Sequence, residues 1–515
     1  MTVSNFQLRM ATRSVLGVAF WALASVSGVS SADESVSSRG FDDNQRFELE
    51  HDSLVISSST YDNRKGALST LAIGSTLPNT ATATTLAVAS NNYVTVWNNA
   101  TVDGSFGATS PIELSDVEAL TGRLMHRLRV PEEAVVTSFS SKSELGLHIA
   151  KDWRGSHVVF VGYAHAGVGA LDVSNSDAVR GQDPTNPVTF AFGTNYAFPR
   201  TIVSVDEHGR FAYTPTFNYG GNNGRSALLG PNGLYYTVGN ANNGNATTFG
   251  PSNGTNPDVT ETTGLEVVDP LDEPWPGSTA NSAEVDPLLQ FQFTAKPDKP
   301  GKDDNYRGVT EYGGALYFTK GSGSNGVDTV YSVDTLPTLA NAASTKINIV
   351  PGFPTDSAKA SGGDFTPFAV FFANAKTMYV TDEGSGNATD AASHAGLEKW
   401  SLKNGVWQLE YVLTKGLIGS VDTNLNGYDG QYPDVTTVGL RNLTGVVNRD
   451  GTVTLWATTS TSSTSGDQGA DPNKVVRITD QVAATALTGA VAEEFFTTIA
   501  GPTYGKVYRG VAYAD

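Results

Sequence analysis

A short apolar segment recurs along the chain, each copy bounded by Gly, Asn or Asp. Every copy is rich in β-branched and aromatic residues and is too short for a helix, so the pattern predicts a buried β-strand. The spacing between copies ranges from 62 to 104 residues. The copies begin at Ser53, His157, Gly233, Ala315, Thr377 and Thr452.

Other strands repeat around this segment. Before it comes a strand that ends in a tight turn, as at Pro231-Asn-Gly and Arg449-Asp-Gly, which are hairpin signals. A fourth, outer strand is clearest at Trp407 and Glu493. Between them comes an alternating third strand, which begins at Ala170, Gly264, Thr329 and Lys474. Four antiparallel strands in each repeated unit describe a β-propeller, with long loops because a compact blade needs only about 40–45 residues.

The two ends of the chain complement each other. The C-terminal Tyr508-Arg-Gly-Val repeats Tyr306-Arg-Gly-Val, which is a first strand, whereas Ser53 opens a second strand with no first strand before it. We therefore expect the C-terminal strand to pair with the N-terminal blade and close the ring, which a sandwich or jelly roll would not require. The prediction is an all-β propeller of six blades. A seventh blade remains an alternative, formed by the segments Arg200-Thr-Ile-Val-Ser-Val and Phe211-Ala-Tyr-Thr-Pro.

The N-terminus has the pattern of a secretory signal. Arg9 and Arg13 precede the apolar run from Val15 to Val26, and small residues follow up to Ala32. The run is shorter than the roughly 20 residues that span a bilayer. We predict a signal peptide over residues 1–32, a polar lead over 33–48 and a single propeller domain over 49–515, secreted and extracellular or associated with the cell surface.

Composition narrows the class of partner. The net charge is −19, and it becomes −21 without the two arginines of residues 1–32. Such a surface disfavours nucleic acid and anionic lipid. The chain has no cysteine, which excludes disulfides and zinc sites built on Cys. Five sequons could carry glycans in a eukaryotic secretory route, namely Asn99, Asn245, Asn253, Asn387 and Asn442.

The chain resembles a group of secreted microbial propeller proteins. The resemblance is carried by Ser140-Ser-Lys-Ser-Glu, Tyr306-Arg-Gly-Val-Thr, Lys320-Gly-Ser-Gly-Ser-Asn-Gly and Gly466-Asp-Gln-Gly-Ala-Asp-Pro-Asn-Lys, within most of residues 50–515. It implies the propeller fold and no particular activity. More remotely, the chain is similar to six-bladed lactonase and gluconolactonase-like propellers, a resemblance that implies a calcium ion in the central channel.

Arginine opens the first strand in four units. Because repetition places these side chains at equivalent heights, they could form a partial ring at one mouth of the channel and bind carboxylates. The alternative is that each arginine ties its blade to a neighbour. The four are Arg225, Arg307, Arg441 and Arg509.

The loops that leave the second strands reach the same mouth. They contribute Asn240 as a further ligand-binding candidate. Asp382 and Glu383 alternate along a strand end and should point in opposite directions. Candidates for acid, base or electrostatic roles are His165, Lys320, Asp382, Glu383 and Asp467.

A partial calcium loop occurs at Asp422, Asn424 and Asn426. The bidentate Glu expected at the twelfth position is replaced by Pro433, and an Asx turn explains the same residues equally well.

Together these features favour an extracellular propeller that binds, and could cleave, carbohydrate at one mouth of its channel, with an acidic glycan as one expected partner. A non-catalytic surface or matrix binding protein and a calcium-dependent lactonase-like hydrolase are the alternatives.

Overall fold

The structure is a computed structural model, and the residues it describes belong to the compact unit Arg46–Asp515. The described residues are 49–60, 76–77, 85–86, 108–139, 145–153, 155–169, 173, 200–216, 218–219, 223–240, 247–249, 259–261, 263–274, 282–284, 304–321, 325–362, 364–386, 395–421, 434–462, 472–503 and 506–515.

Six antiparallel sheets form the six blades of a β-propeller. From the first strand to the fourth, blade 1 consists of Lys506–Ala514, Ser53–Thr60, Ile112–Glu118 and Leu124–Arg129. Blade 2 consists of His148–Asp152, Gly155–Ala164, Arg200–Asp206 and Phe211–Thr216. Blade 3 consists of Gly224–Leu229, Tyr235–Gly239, Gly264–Val268 and Ser282–Glu284. Blade 4 consists of Val309–Tyr312, Ala315–Lys320, Thr329–Val333 and Asn348–Ile349. Blade 5 consists of Pro367–Asn374, Thr377–Asp382, Gly396–Lys403 and Val406–Leu413. Blade 6 consists of Val435–Val447, Thr452–Thr461, Val475–Gln481 and Thr497–Ala500.

Further elements decorate the blades. Val135–Phe139 pairs with the end of the second strand of blade 2 and with Ala108–Ser110, and Gly419–Val421 pairs with the first strand of blade 6. Two small hairpins stand apart, Thr76–Leu77 with Thr85–Leu86 and Thr247–Phe249 with Val259–Glu261. Among the described residues, the named helical elements are the α-helix Ala358–Ser361 and the 3-10 turns Ala342–Ser344 and Gly489–Glu493. Within the part of the chain that the structure describes, no helix has the length and apolar character needed to cross a membrane.

The ring closes as the sequence predicts. Lys506–Ala514 runs antiparallel to Ser53–Thr60, with Ser53 opposite Ala514. Blade 6 packs against Lys506–Ala514, where the indole of Trp456 stacks on the ring of Tyr513 with centroids 5.0 Å apart. The first and last described strands therefore share one blade, and Ser53–Thr60 is paired on both sides, with Lys506–Ala514 and with Ile112–Glu118.

The segments that left a seventh blade open complete blade 2 instead. Arg200–Asp206 pairs with Gly155–Ala164 on one side and with Phe211–Thr216 on the other. The third strand of blade 2 is Arg200–Asp206 and not the segment predicted to begin at Ala170, which itself lies outside the described residues. The outer strand of blade 6 also begins later than predicted, at Thr497, after the 3-10 turn Gly489–Glu493.

The hydrophobic cores lie between neighbouring blades. Alternate residues of one second strand enter different cores, so Val55 packs with Val158 of blade 2 whereas Leu54 packs with Trp456 of blade 6. The other interfaces are filled in the same way, with Val161 against Tyr235 between blades 2 and 3. Because both faces of each sheet are covered, the inner strands read as continuous apolar runs rather than as alternating ones.

Glycine in the repeated Arg-Gly-Val segment allows adjacent blades to approach closely. A Cβ atom at Gly308 of blade 4 would lie 2.5 Å from the carbonyl oxygen of Phe368 in blade 5. A Cβ atom at Gly510 of blade 1 would lie 2.1 Å from the carbonyl oxygen of Leu145, just before blade 2. Only glycine fits these contacts without displacement of the backbone, which explains why the segment recurs.

Candidate functional site

The channel has two mouths, which the strand directions define. At the loop mouth the first strands begin and the second strands end, whereas at the hairpin mouth tight turns join the first strand to the second strand in blades 2 to 6. The ligand-binding and catalytic candidates predicted from the sequence belong to the loop mouth, as far as the structure describes them.

Two of the predicted arginines converge on one carboxylate there. Nη2 of Arg307 in blade 4 lies 3.3 Å from Oε1 of Glu383 in blade 5, and Nε of Arg441 in blade 6 lies 2.9 Å from Oε2. Both guanidinium groups also lie over the ring of Phe368, at 5.7 and 5.1 Å from its centroid. All four side chains are buried. Through its two ion pairs, Glu383 of blade 5 connects blades 4 and 6.

The other predicted ligand-binding residues also bind the protein itself. Nη2 of Arg225 donates to Oδ1 of Asn240, at 3.2 Å, and to Oδ1 of Asn305 at the start of blade 4, at 2.7 Å. Nε of Arg509 donates to the hydroxyl of Ser59 at 3.4 Å. The contacts of Arg225, Arg307 and Arg441 reach a neighbouring blade, as the inter-blade interpretation expects, whereas the contact of Arg509 with Ser59 lies within blade 1.

The predicted acid and base candidates are divided among separate contacts. Nζ of Lys320 lies 2.6 Å from Oδ1 of the buried Asp328. Asp382 accepts hydrogen bonds from the backbone N–H groups of Thr366 and Gly384, both at 2.8 Å, and burial raises its pKa against these bonds. Asp382 and Glu383 therefore contact different partners, in agreement with their alternation along the strand.

His165 follows the second strand of blade 2 with a left-handed backbone, at φ 58°, and its backbone N–H donates to the carbonyl of Ala134 at 3.0 Å. Partial burial lowers the pKa of its ring below the usual value, so the imidazole is neutral at pH 7.

Several predicted residues lie outside the described part of the chain. They are Asp467, Asp422, Asn424, Asn426, Asn99, Asn245, Asn253 and Asn387. The fifth sequon is described: the amide nitrogen of Asn442 donates to the carbonyl of Arg509 at 2.6 Å within the fold, so a glycan there would have to break this bond. Among the described residues, no three His, Asp or Glu side chains are placed to hold a metal ion.

A cavity that the sequence did not suggest opens at the hairpin mouth. It has a volume of about 790 Å³ and is lined by the first strands and hairpins of blades 2, 3 and 4. Trp153, at the tip of the blade 2 hairpin, lines it with 92% of its surface exposed. A large aromatic side chain displayed beside a cavity is an unusual use of apolar surface and is typical of binding sites.

Three carboxylates line the same cavity, and a hydrogen bond from the protein orients each of them. Oδ1 of Asp152 lies 3.2 Å from Nε2 of His157. Oδ1 of Asp272 accepts from the hydroxyl of Tyr235 at 3.0 Å, and Oε1 of Glu311 accepts from the backbone N–H of Gly314 at 2.7 Å. The carboxylates are thus held in place before any ligand arrives.

His157 also contacts the hydroxyl of Ser204, whose oxygen lies 3.2 Å from Nδ1. Ser204, His157 and Asp152 therefore contain the residue types of a nucleophilic triad. The serine hydroxyl, however, is buried within the sheet of blade 2, where no substrate carbonyl could reach it. The arrangement instead fixes the ring of His157, which in turn fixes the carboxylate of Asp152 in the cavity.

Two basic side chains complete the lining. Nζ of Lys151 donates to the main-chain oxygen of Asp515. Nε2 of His148 lies 3.2 Å from the hydroxyl of Ser226, and desolvation lowers the pKa of this ring to about 4. At pH 7 His148 is therefore neutral. The exposed tryptophan in the polar turn Asp152-Trp153 was the one sequence signal that could have indicated this site.

The chain has only remote similarities to known proteins. No protein-family model matches the sequence, and no curated protein matches it. Among solved structures, the chain is similar to the Bombyx mori GH32 beta-fructofuranosidase BmSUC1, with 10% identity over 68% of this chain and a TM-score of 0.28; it spans 61% of that protein. It is also similar to a PL25 ulvan lyase bound to -[GlcA(1-4)Rha3S]-, with 9% identity, 82% of this chain, 96% of that chain and a TM-score of 0.30. A second structure of a PL25 ulvan lyase gives 10% identity, 78% and 92% coverage and a TM-score of 0.29. At these values the similarities assign no role to any residue of this chain.

Proposed function

We propose that this chain is an extracellular propeller that binds carbohydrate in the cavity at its hairpin mouth. The observation that carries the proposal is the exposed indole of Trp153 beside a cavity lined by oriented carboxylates. The extracellular location rests on the signal pattern of residues 1–32.

A sugar ring offers two kinds of surface, and the cavity offers a counterpart to each. The C–H face of a pyranose is apolar and flat, so it can cover the indole of Trp153 and remove both surfaces from water. The sugar hydroxyls can donate to Asp152, Asp272 and Glu311, and hydrogen bonds to charged acceptors are stronger than those between neutral groups. A cavity of about 790 Å³ is within the usual range for small-ligand sites and suits a short oligosaccharide.

The loop mouth is less suited to binding an acidic sugar than the hairpin mouth is to binding carbohydrate. Uronate binding there would need guanidinium groups that face the channel, but Arg307 and Arg441 are buried and bound to Glu383. A ligand carboxylate would have to displace Glu383 and break contacts between three blades.

The proposal is tested by thermal unfolding of the secreted protein with a panel of neutral, basic and acidic oligosaccharides. A glycan at 100 times its dissociation constant should stabilise the fold by about 2.7 kcal/mol if it binds only the folded state. Trp153→Ala should abolish the shift, because the stacking surface is lost while the exposed position leaves the fold intact.

The matched control is Leu487→Ala, which also truncates an exposed apolar residue but lies outside the cavity lining. It should retain the shift. No shift with any glycan, or an equal shift in Trp153→Ala, would contradict the proposal. Incubation of the bound glycans and analysis of reducing ends would then separate binding alone from cleavage.

A further inference from the structure

The lining of the hairpin-mouth cavity carries an excess of negative charge. Among the described lining residues, the ionisable groups are three carboxylates, one lysine and one histidine. Lys151 is engaged with the main-chain oxygen of Asp515, and His148 is neutral at pH 7 because its ring is desolvated. The described part of the lining therefore presents three negative charges against one positive charge.

This charge lies within a protein that is itself acidic, with a net charge of −19. A uronate or a sulfated sugar would enter against the field of both the cavity and the whole molecule. A ligand with positive charge would be attracted by both, and the attraction would be strongest inside a concave site that excludes part of the solvent.

The indole of Trp153 adds a second reason for the cavity to prefer a positively charged ligand. The face of an indole ring is negative, and tryptophan is the best aromatic partner for an ammonium group. With 92% of its surface exposed, Trp153 can offer this face to a ligand. Aromatic faces combined with carboxylates are the chemistry by which proteins recognise amines.

We infer that the cavity selects a sugar that carries a protonated amine, such as an oligomer of glucosamine, over neutral and acidic sugars. The inference rests on the proposed function, which assigns carbohydrate to this cavity but leaves its charge open. The amine would contact Trp153 and the carboxylates of Asp152, Asp272 and Glu311, while the ring hydroxyls would use the remaining acceptors.

The test compares four oligomers of the same length and matched linkage: glucosamine, N-acetylglucosamine, glucose and a uronic acid. Binding to the full secreted protein is measured by calorimetry at about pH 6, below the ordinary pKa of an amine. We expect the glucosamine oligomer to bind at least about tenfold more tightly than the glucose oligomer, as two or three favourable charge contacts would give. Raising the salt from about 0.01 to 1 M should remove this difference, because the screening length falls from about 30 to 3 Å.

Glu311→Gln separates charge from shape. The glutamine side-chain oxygen can still accept from the backbone N–H of Gly314, so the side chain should keep its orientation. Affinity for glucosamine oligomers should fall about threefold, with no change for glucose oligomers. Glu493→Gln, the same substitution at an exposed position outside the cavity lining, should change neither affinity.

The outcomes distinguish a failure of the amine preference from a failure of the proposed carbohydrate binding. Equal binding of amine and neutral oligomers, or tighter binding of the uronate, would overturn the inference and leave carbohydrate binding standing. An affinity that Glu311→Gln leaves unchanged for the glucosamine oligomer would also overturn it. Binding of none of the four oligomers would overturn both this inference and the proposed function.

Discussion

Replacing Lys399 with methionine tests how strongly a buried ion pair holds blades 5 and 6 together. Lys399 lies on the third strand of blade 5 and Asp480 on the third strand of blade 6, and Nζ lies 2.9 Å from Oδ2. Neither side chain has any exposed surface. Two tyrosines complete the contact, since the hydroxyls of Tyr379 and Tyr411 both donate to Asp480.

Lys399→Met keeps most of the side-chain volume but leaves the carboxylate of Asp480 buried without its counter-ion. The tyrosines cannot take over the charge, because burial and the neighbouring Asp480 raise the pKa of both hydroxyls and keep them protonated. Removing one member of a buried pair typically costs about 3–5 kcal/mol. We expect a loss of this size in the free energy of unfolding.

A matched control exists between the same two blades. Nζ of Lys415 lies 2.6 Å from Oε2 of Glu493, a shorter distance than in the buried pair, but the two side chains are 51% and 79% exposed. If burial decides the effect, Lys415→Met should change stability very little despite the shorter contact.

The assay is urea unfolding at pH 7, followed by tryptophan fluorescence. The double variant Lys399→Met with Asp480→Asn removes both charges, so it should be more stable than the sum of the single effects predicts. The reasoning is refuted if Lys399→Met costs no more than Lys415→Met, or if the two single effects simply add.

Three further predictions concern other contacts. Glu383→Gln should cost about 3–5 kcal/mol in urea unfolding, because two buried arginines then lose the carboxylate that they share, while Glu493→Gln should have little effect. His148 should make the protein less stable in thermal unfolding as the pH falls from 6.5 to 4. Its folded pKa of about 4 lies below the unfolded value, so the unfolded state binds more protons in this pH range. His148→Gln should therefore flatten the dependence of the melting temperature on pH. Gly510→Ala should lower stability by at least about 1–3 kcal/mol, since its Cβ would meet the carbonyl oxygen of Leu145 at 2.1 Å, and an unchanged melting temperature would show that the two blades can separate.

The architecture could be predicted because each blade repeats the same physical requirements. Strands buried on both faces give continuous apolar runs, and hairpins require Gly, Asn or Asp in their turns. The closing strand was recognisable from Tyr508-Arg-Gly-Val, which the structure pairs with the strand beginning at Ser53.

Blade 2 shows where this reasoning stops. Two apolar segments compete for its third strand, one beginning at Ala170 and one at Arg200, and the structure pairs the latter with Gly155–Ala164. Both have the residue types of a strand, so local propensity cannot choose between them. Only the pairing across the sheet decides, and that depends on contacts distant in sequence.

The choice of the arginines as a binding site stays a prediction, and the contacts that they make within the protein show why repetition is a weak guide to binding. Repetition drew attention to the arginines, but a residue that appears at the same place in several blades answers a need that every blade shares. In this propeller that need is cohesion: Arg307 and Arg441 meet Glu383, and Arg225 reaches Asn305. Function depends on particular sites rather than on the fold, and residues that differ from blade to blade can form a site that the repeat itself does not require. No tryptophan occurs in the other hairpin turns, which read Pro231-Asn-Gly, Tyr312-Gly-Gly, Asn374-Ala-Lys and Arg449-Asp-Gly. In a repeat protein, the departures from the repeat are therefore the better guide to function, and the hairpin of blade 2 is the departure that lies beside a cavity.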